Sequence, residues 1–153
     1  MNILIFNWRC WKHPWAGGAE NYLHEISKRL VRSGHRVTWF VSSWDGLKER
    51  EVLEGIELIR KGGRFSVYIH AFITYIKQLR SGDFDVIVDD INGVPFFTPL
   101  FVRKRKIAIM HHLVKGIFFK ELPWYSAVLG WLSERMIPII YKKTKFVTVS
   151  EST

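Results

Sequence analysis

Gly17 and Gly18 stand immediately before a run in which Ala19, Tyr22, Leu23, Ile26 and Leu30 recur at helical spacing. Glycines lack a Cβ, so backbone N–H groups can approach a ligand closely there. A helix start adds four unpaired N–H groups and roughly half a positive charge. An anion, most often a phosphate, is stabilised at such a point; the alternative is that the pair only makes a tight turn. The spacing lacks G-x-G-x-x-G, which weighs against a nicotinamide dehydrogenase. The second candidate is His111-His112, closing the apolar run Ile107-Ala108-Ile109-Met110. Adjacent residues of an extended chain point to opposite faces, so at most one of these histidines can face a crevice, and together they make a poor chelate. A single imidazole with a pKa near ~6.5 suits hydrogen bonding or proton relay in a substrate cleft.

Between Phe6 and Gly17 lies a connection far longer than the ~2–6 residues usual after a strand. It carries Trp8, Trp11, Trp15, Arg9, Lys12 and His13. Its rings could stack on a sugar or base with Arg9 or Lys12 meeting a phosphate, or they could simply fold the loop onto the domain. Asp89-Asp90 ends another apolar run. Paired acids can hold magnesium in receiver-type domains, but those also need acids just after the first strand, where Asn7 and Trp8 stand here. No metal site is expected.

The elements that would carry these groups are legible. Asn2 to Phe6 is apolar without alternation, as in a strand buried on both faces of a parallel sheet. The helix after Gly18 stops near Gly34, its Glu20, Glu25, Lys28, Arg29 and Arg32 falling mostly between the apolar positions, and Val37 to Val41 forms the second strand. This is a βαβ unit. Trp44 to Gly55 reads as a connector whose Lys48-Glu49-Arg50-Glu51 run sits in water, before a third strand from Gly55 to Arg60. Phe65, Tyr68, Ile69, Phe72, Ile73, Ile76 and Leu79 form the apolar stripe of a second long helix. Asp85 to Asp89 is the fourth strand, Phe96 to Val102 a short packed helix, and Ile107 to Met110 the fifth strand. Leu113 to Tyr141 is aromatic and apolar, with Pro123 starting a helix that Pro138 bends or ends. Phe146 to Val149 is the last strand, and Ser150 begins a cap-like tail. The class is α/β: a Rossmann-like parallel sheet with helices on both faces.

A length of 153 residues suits one domain, and 48% hydrophobic residues suffice for a full core. Cys10 is the single cysteine, which excludes an internal disulfide and a cysteine metal site and fits a reducing cytoplasm. No apolar stretch reaches the ~18 residues of a membrane span, and Met1-Asn2 leads straight into a strand without a signal peptide. The formal charge of +9 points to an acidic partner. Much of it lies in Arg103-Lys104-Arg105-Lys106, Lys142-Lys143-Thr144-Lys145 and His35-Arg36, each preceding a strand. In a parallel sheet all three sit at the amino edge, away from the ligand crevice, as a solvated face or one attracted to anionic lipid. Nucleic acid is not expected as a partner, because aromatic stacking platforms are not interleaved with these charges.

In order and spacing these pieces resemble the N-terminal domain of GT-B glycosyltransferases, in particular glycosyltransferase family 4. The resemblance rests on Gly17-Gly18-Ala19-Glu20, Gly34-His35-Arg36-Val37-Thr38, Asn92-Gly93-Val94-Pro95, Met110-His111-His112 and Val147-Thr148-Val149-Ser150-Glu151. It implies half of a two-domain cleft, with a nucleotide-sugar donor held mainly by a C-terminal domain beyond Thr153 and residues 1–153 forming a single, truncated domain without activity of its own. Gly17 and Gly18 would approach the donor diphosphate. His111 would contact the transferred sugar, assist transfer, or both. The acceptor, a glycan or a lipid-linked molecule, would lie among Trp8, Trp11, Trp15, Asn92, His112 and the aromatic segment around Trp124. Transfer would retain configuration and need neither metal nor cofactor. The site would be cytoplasmic, with room for peripheral contact at the inner face of an anionic membrane. The alternative is a non-catalytic α/β module that binds such a membrane. A nucleotide-sugar epimerase or dehydrogenase would need a dinucleotide fingerprint and a Tyr-x-x-x-Lys pair, and neither occurs.

Overall fold

In the computed structural model residues 1–112 and 123–149 are described. Among these residues seven strands form one sheet in the order β3-β4-β2-β1-β5-β6-β7. They are β1 (Asn2–Phe6), β2 (Arg36–Val41), β3 (Arg50–Leu53), β4 (Ile56–Arg60), β5 (Val86–Asn92), β6 (Lys106–His112) and β7 (Lys145–Thr148). Every pairing is parallel except β3 with β4. Without β3 the order of the six parallel strands is the doubly wound 3-2-1-4-5-6, whose direction of winding reverses between β1 and β5.

Helix α1 (Gly18–Arg32) covers one face: its Leu23 packs with Ile3, Ile5, Val37, Trp39 and Leu58. The expected stop is present. Gly34 has φ 82, its N–H donates to the Val31 carbonyl and that of His35 to Leu30, which satisfies the last carbonyls of the helix. On the other face α2 (Val67–Thr74) continues as a π turn (Tyr75–Leu79) over Leu4, Phe6, Phe40, Ile59 and Ile87. Helix α3 (Trp124–Ile140), with Ile137 and the following Tyr141, closes over Ile91, Ala108 and Met110.

Three local expectations are corrected. The charged run after Trp44 is not all solvated connector: Arg50–Leu53 pairs antiparallel with β4 through a two-residue turn, Glu54 and Gly55, both at positive φ (52 and 81). The run contributes Glu51, which neutralises the buried Arg60 guanidinium. On α2 the buried face is Val67, Ala71, Thr74 and Tyr75, whereas Phe65, Ile69, Phe72, Ile73 and Ile76 are exposed. The segment is apolar on both sides, and the side that meets the sheet carries Val67, Ala71 and Thr74 on α2 with Tyr75 and Leu79 on the π turn. Between Phe96 and Val102 only Thr98–Leu100 is helical, as one 3-10 turn entered through Phe97 at φ 56.

Candidate functional site

The reversal between β1 and β5 leaves a crevice at their carboxyl ends, where open α/β sheets take their ligands. It is an open cleft of about 460 Å³ walled by Arg9, Gly17, Gly18, Tyr22, Asn92 and His111, among others. The first two elements of the βαβ unit and the ends of β5 and β6 thus converge on one volume.

The two glycines are not there for a left-handed backbone. Gly17, the N-cap of α1, is extended at φ −128, and Gly18 is the first helical residue. A Cβ built on Gly18 meets nothing within 4 Å, so it would project into open space. At Gly55, by contrast, φ is +81 and a Cβ would strike Val31 Cγ1 at 2.6 Å. Only the second glycine is demanded by the fold; at the first, the absence of a side chain leaves room for whatever enters the cleft. The first intrahelical hydrogen bond is Asn21 N–H to the Gly17 carbonyl, so the N–H groups of Gly18, Ala19 and Glu20 have no acceptor within the helix.

Glu20 is not on the solvent side of α1, where the apolar spacing puts it: it is fully buried. Its Oε2 accepts the Gly17 N–H at 2.7 Å, and its Oε1 accepts from Arg9 Nε at 2.9 Å and from Asn92 Nδ2 at 3.1 Å. One carboxylate therefore joins the long loop, the glycine turn and the end of β5. The Arg9 guanidinium also lies over the Trp8 ring, 4.4 Å from its centroid. The signal for Glu20 was available as an acid at the third position of a helix, reaching back to the N-cap N–H.

His111 sits on the α1 side of β6, buried, with the Tyr22 ring edge-on at 5.8 Å. Its Nε2 is 2.8 Å from Asp90 Oδ1 on the neighbouring strand. Burial pushes the Asp90 carboxyl up to about 6, against the lowering effect of the His111 hydrogen bond. For His111 burial works against the charged form, but the Asp90 hydrogen bond and charge outweigh it and raise the imidazole above its ordinary value. The pair thus holds its protons to higher pH than either group does in water.

The profile of Glycosyltransferase Family 4 matches residues 16–153. The chain belongs to glycosyltransferase family 4. The matched span begins beside the glycine turn and includes every strand after β1, so the family and the Rossmann-like architecture, that of the N-terminal half of a GT-B enzyme, agree. No curated protein matches the sequence significantly.

The cleft of this family 4 domain unites Gly17, Gly18, Asn92 and His111, with Asn92 the last residue of β5. The three tryptophans lie elsewhere. Trp11 stacks on His24 of α1 at 3.8 Å and meets Trp39 edge-on, packing the loop onto the domain. Trp8 packs against the cluster under α2. Trp15 is half exposed and clusters with His13 and Trp44. His112 ends β6, but its side chain, the segment 113–122 with Lys115, Phe118, Phe119 and Lys120, and the tail from Ser150 lie outside the described residues. Arg9, which the loop reading offered to a phosphate, lines the cleft, whereas Glu20, Tyr22 and Asp90 are the members of the site region that sequence spacing did not assemble. Among the described residues no cluster of three metal-ligating side chains occurs, and no helix is long and apolar enough to cross a membrane.

Proposed function

We propose that this domain is the acceptor-side half of a retaining glycosyltransferase that moves a sugar from a nucleotide-sugar donor to a glycan or lipid-linked acceptor. The observation that carries the reading is Gly18: a first-turn glycine whose backbone any residue could adopt, with open cleft where a side chain would stand. The donor diphosphate lies against the N–H groups of Gly18 and Ala19, where the helix end stabilises negative charge. The sugar extends toward His111, and the acceptor enters on the side of Asn92. As the acceptor oxygen bonds to the anomeric carbon, the bond from that carbon to the diphosphate oxygen breaks, and the proton of the acceptor hydroxyl passes to the departing diphosphate oxygen. The charge growing on the leaving group is met by dipoles already in place. Departure and attack on the same face of the sugar retain configuration. No metal is needed in this scheme, and a second domain grips the nucleotide across the cleft.

Replacing Gly18 by Ala tests this directly in the complete enzyme. Transfer from the nucleotide sugar should fall at least ~10-fold, with the donor KM raised, while the unfolding temperature stays unchanged. Unaltered kinetics would remove the diphosphate from this site. Residues 1–153 alone should show no turnover.

A second reading is favoured by one specific observation. On α3, Trp124, Tyr125, Leu129, Leu132, Met136 and Ile139 are exposed, Trp124 by 76%, and form a stripe along the helix. The helix ends beside Lys142, Lys143 and Lys145 at the amino edge, near Arg103 to Lys106. An apolar stripe leading into a basic edge fits peripheral contact with an anionic bilayer, where a lipid-linked acceptor would be found. Co-sedimentation with anionic but not neutral vesicles, lost in high salt, is expected; equal recovery with both would exclude an electrostatic contribution to docking.

A further inference from the structure

Asp90 is costly where it stands. Its side chain is fully buried; among the described residues Oδ1 has one hydrogen bond, to His111, and Oδ2 has no hydrogen-bond partner. An acid kept for structure would be satisfied on both oxygens, as its neighbour Asp89 is, since each buried polar atom left unpaired costs roughly 1–3 kcal/mol. Among the described residues Asp90 joins no loop and caps no helix; the group it holds there is the imidazole at the wall of the cleft.

We propose that Asp90 is a positioning residue for His111, fixing the orientation and tautomer of the ring that faces the transferred sugar. The inference rests on the reading of His111 given above and adds to it the group through which that side chain works. With Asp90 ionised, Nε2 must carry a hydrogen to donate to Oδ1, so the neutral ring is held as the Nε2–H tautomer and Nδ1 is its acceptor nitrogen. On protonation the same contact retains the imidazolium. The charged and titratable groups that meet His111 among the described residues are Asp90 from β5, Glu20 and Tyr22 from α1, and Arg9 across the same cleft. Asp90 lies within hydrogen-bond distance of the ring. It stands at the register position opposite Ile109, two residues before His111 on the same face of β6, which brings the pair together without any loop.

The test uses Asp90→Asn and His111→Ala in the complete enzyme, together with nitrogen-15 NMR of the His111 ring in this chain. In the wild type the ring should titrate above the ordinary histidine value and show Nε2–H in its neutral form; in Asp90→Asn its midpoint should move to lower pH. The limb of the pH–rate profile that follows His111 should move the same way, whichever protonation state is active. The kcat should fall about 10-fold or more with the donor KM within about 2-fold, and the double variant should be no worse than His111→Ala. If His111→Ala impairs transfer while Asp90→Asn leaves kcat, the limb and the ring midpoint unmoved, the positioning role is overturned and the His111 reading stands. If His111→Ala is itself silent, the reading of His111 falls and the proposal with it. Should Asp90→Asn not fold, Asp90→Glu serves with the same readouts, and an unchanged ring midpoint in that variant would also overturn the proposal.

Discussion

Asp89 and Asp90 are consecutive on β5 and point to opposite faces of one sheet. Toward α2 and α3, Asp89 accepts the N–H groups of Phe96 and Thr98, the Thr98 hydroxyl and the Tyr141 hydroxyl. Those four bonds fasten the loop after β5 and the end of α3 to the strand. Toward α1, Asp90 has, among the described residues, a single bond and one oxygen without a hydrogen-bond partner. Burial raises both carboxyls, but only on the first side do several hydrogen bonds oppose it. One face of the strand spends its acid on holding elements together; the other keeps an acid whose burial is poorly compensated beside a titratable ring. The same side-chain chemistry is thus fully bonded on one face and sparsely bonded on the other, by the direction of one side chain.

The largest way to break the contrast is to remove the fastening acid. Asp89→Ala should destabilise the domain by about 3–5 kcal/mol, because it strands several buried donors around one vacated acceptor. Denaturant unfolding measures it, and Asp90→Asn in the same assay should stay within about 1 kcal/mol of wild type near neutral pH. Equal losses at both positions would mean that Asp90 is structural after all. Glu20→Ala is expected next, at about 2–3 kcal/mol, since Gly17 N–H, Arg9 and Asn92 lose their common acceptor. Because Glu20 sits on the cleft side, its loss should also speed amide exchange at Gly17, whereas Asp89→Ala should loosen Thr98.

A smaller effect separates the two acids by pH. The folded-state values of Asp90 and His111 are both raised, so their protons are held more tightly in the folded than in the unfolded chain. Such groups stabilise below their unfolded values and lose that contribution as pH rises through the folded ones. For Asp90 the loss runs from near pH 4 through about 6, and for His111 it continues above its ordinary value. The stability advantage of wild type over Asp90→Asn should therefore shrink between pH 5 and pH 8. An advantage that grows over this window would reverse the sign assigned to the pair.

Which parts of this were legible follows the range of the interaction. Apolar runs gave the parallel strands, and Gly34 gave the end of α1, because strand burial and a left-handed stop are local in sequence. The glycine turn and His111 could be marked by type and position. The partner of His111 could not, since Asp90 is 21 residues away and meets it only through strand adjacency and register. The apolar stripe of α1 puts Glu20 outward, because it says nothing about a cap that turns back under the loop. On α2 two apolar sides competed, and spacing alone could not know that Val67 and Ala71 would be preferred to Phe72 and Ile76 against the sheet. Trp11 shows the converse: an aromatic in a ligand-side loop whose ring is consumed by packing on His24 and Trp39.

The smallest expected change in stability carries the sharpest test of the open side. Gly18→Ala should alter the unfolding free energy by no more than about 0.5 kcal/mol, and in the favourable direction if anything, since alanine is the better helix former. Its backbone is not left-handed and its Cβ would meet no atom within 4 Å, so the fold offers no reason to keep a glycine there. A ligand does. The added methyl would stand where a diphosphate must come close to reach the unpaired N–H groups, so titration of this chain with inorganic pyrophosphate should shift the Gly17, Gly18 and Ala19 amides in wild type and far less in the variant. A destabilised Gly18→Ala that still shows the wild-type shifts would assign this glycine to the fold, on the same footing as Gly55, and leave the cleft without its defining vacancy.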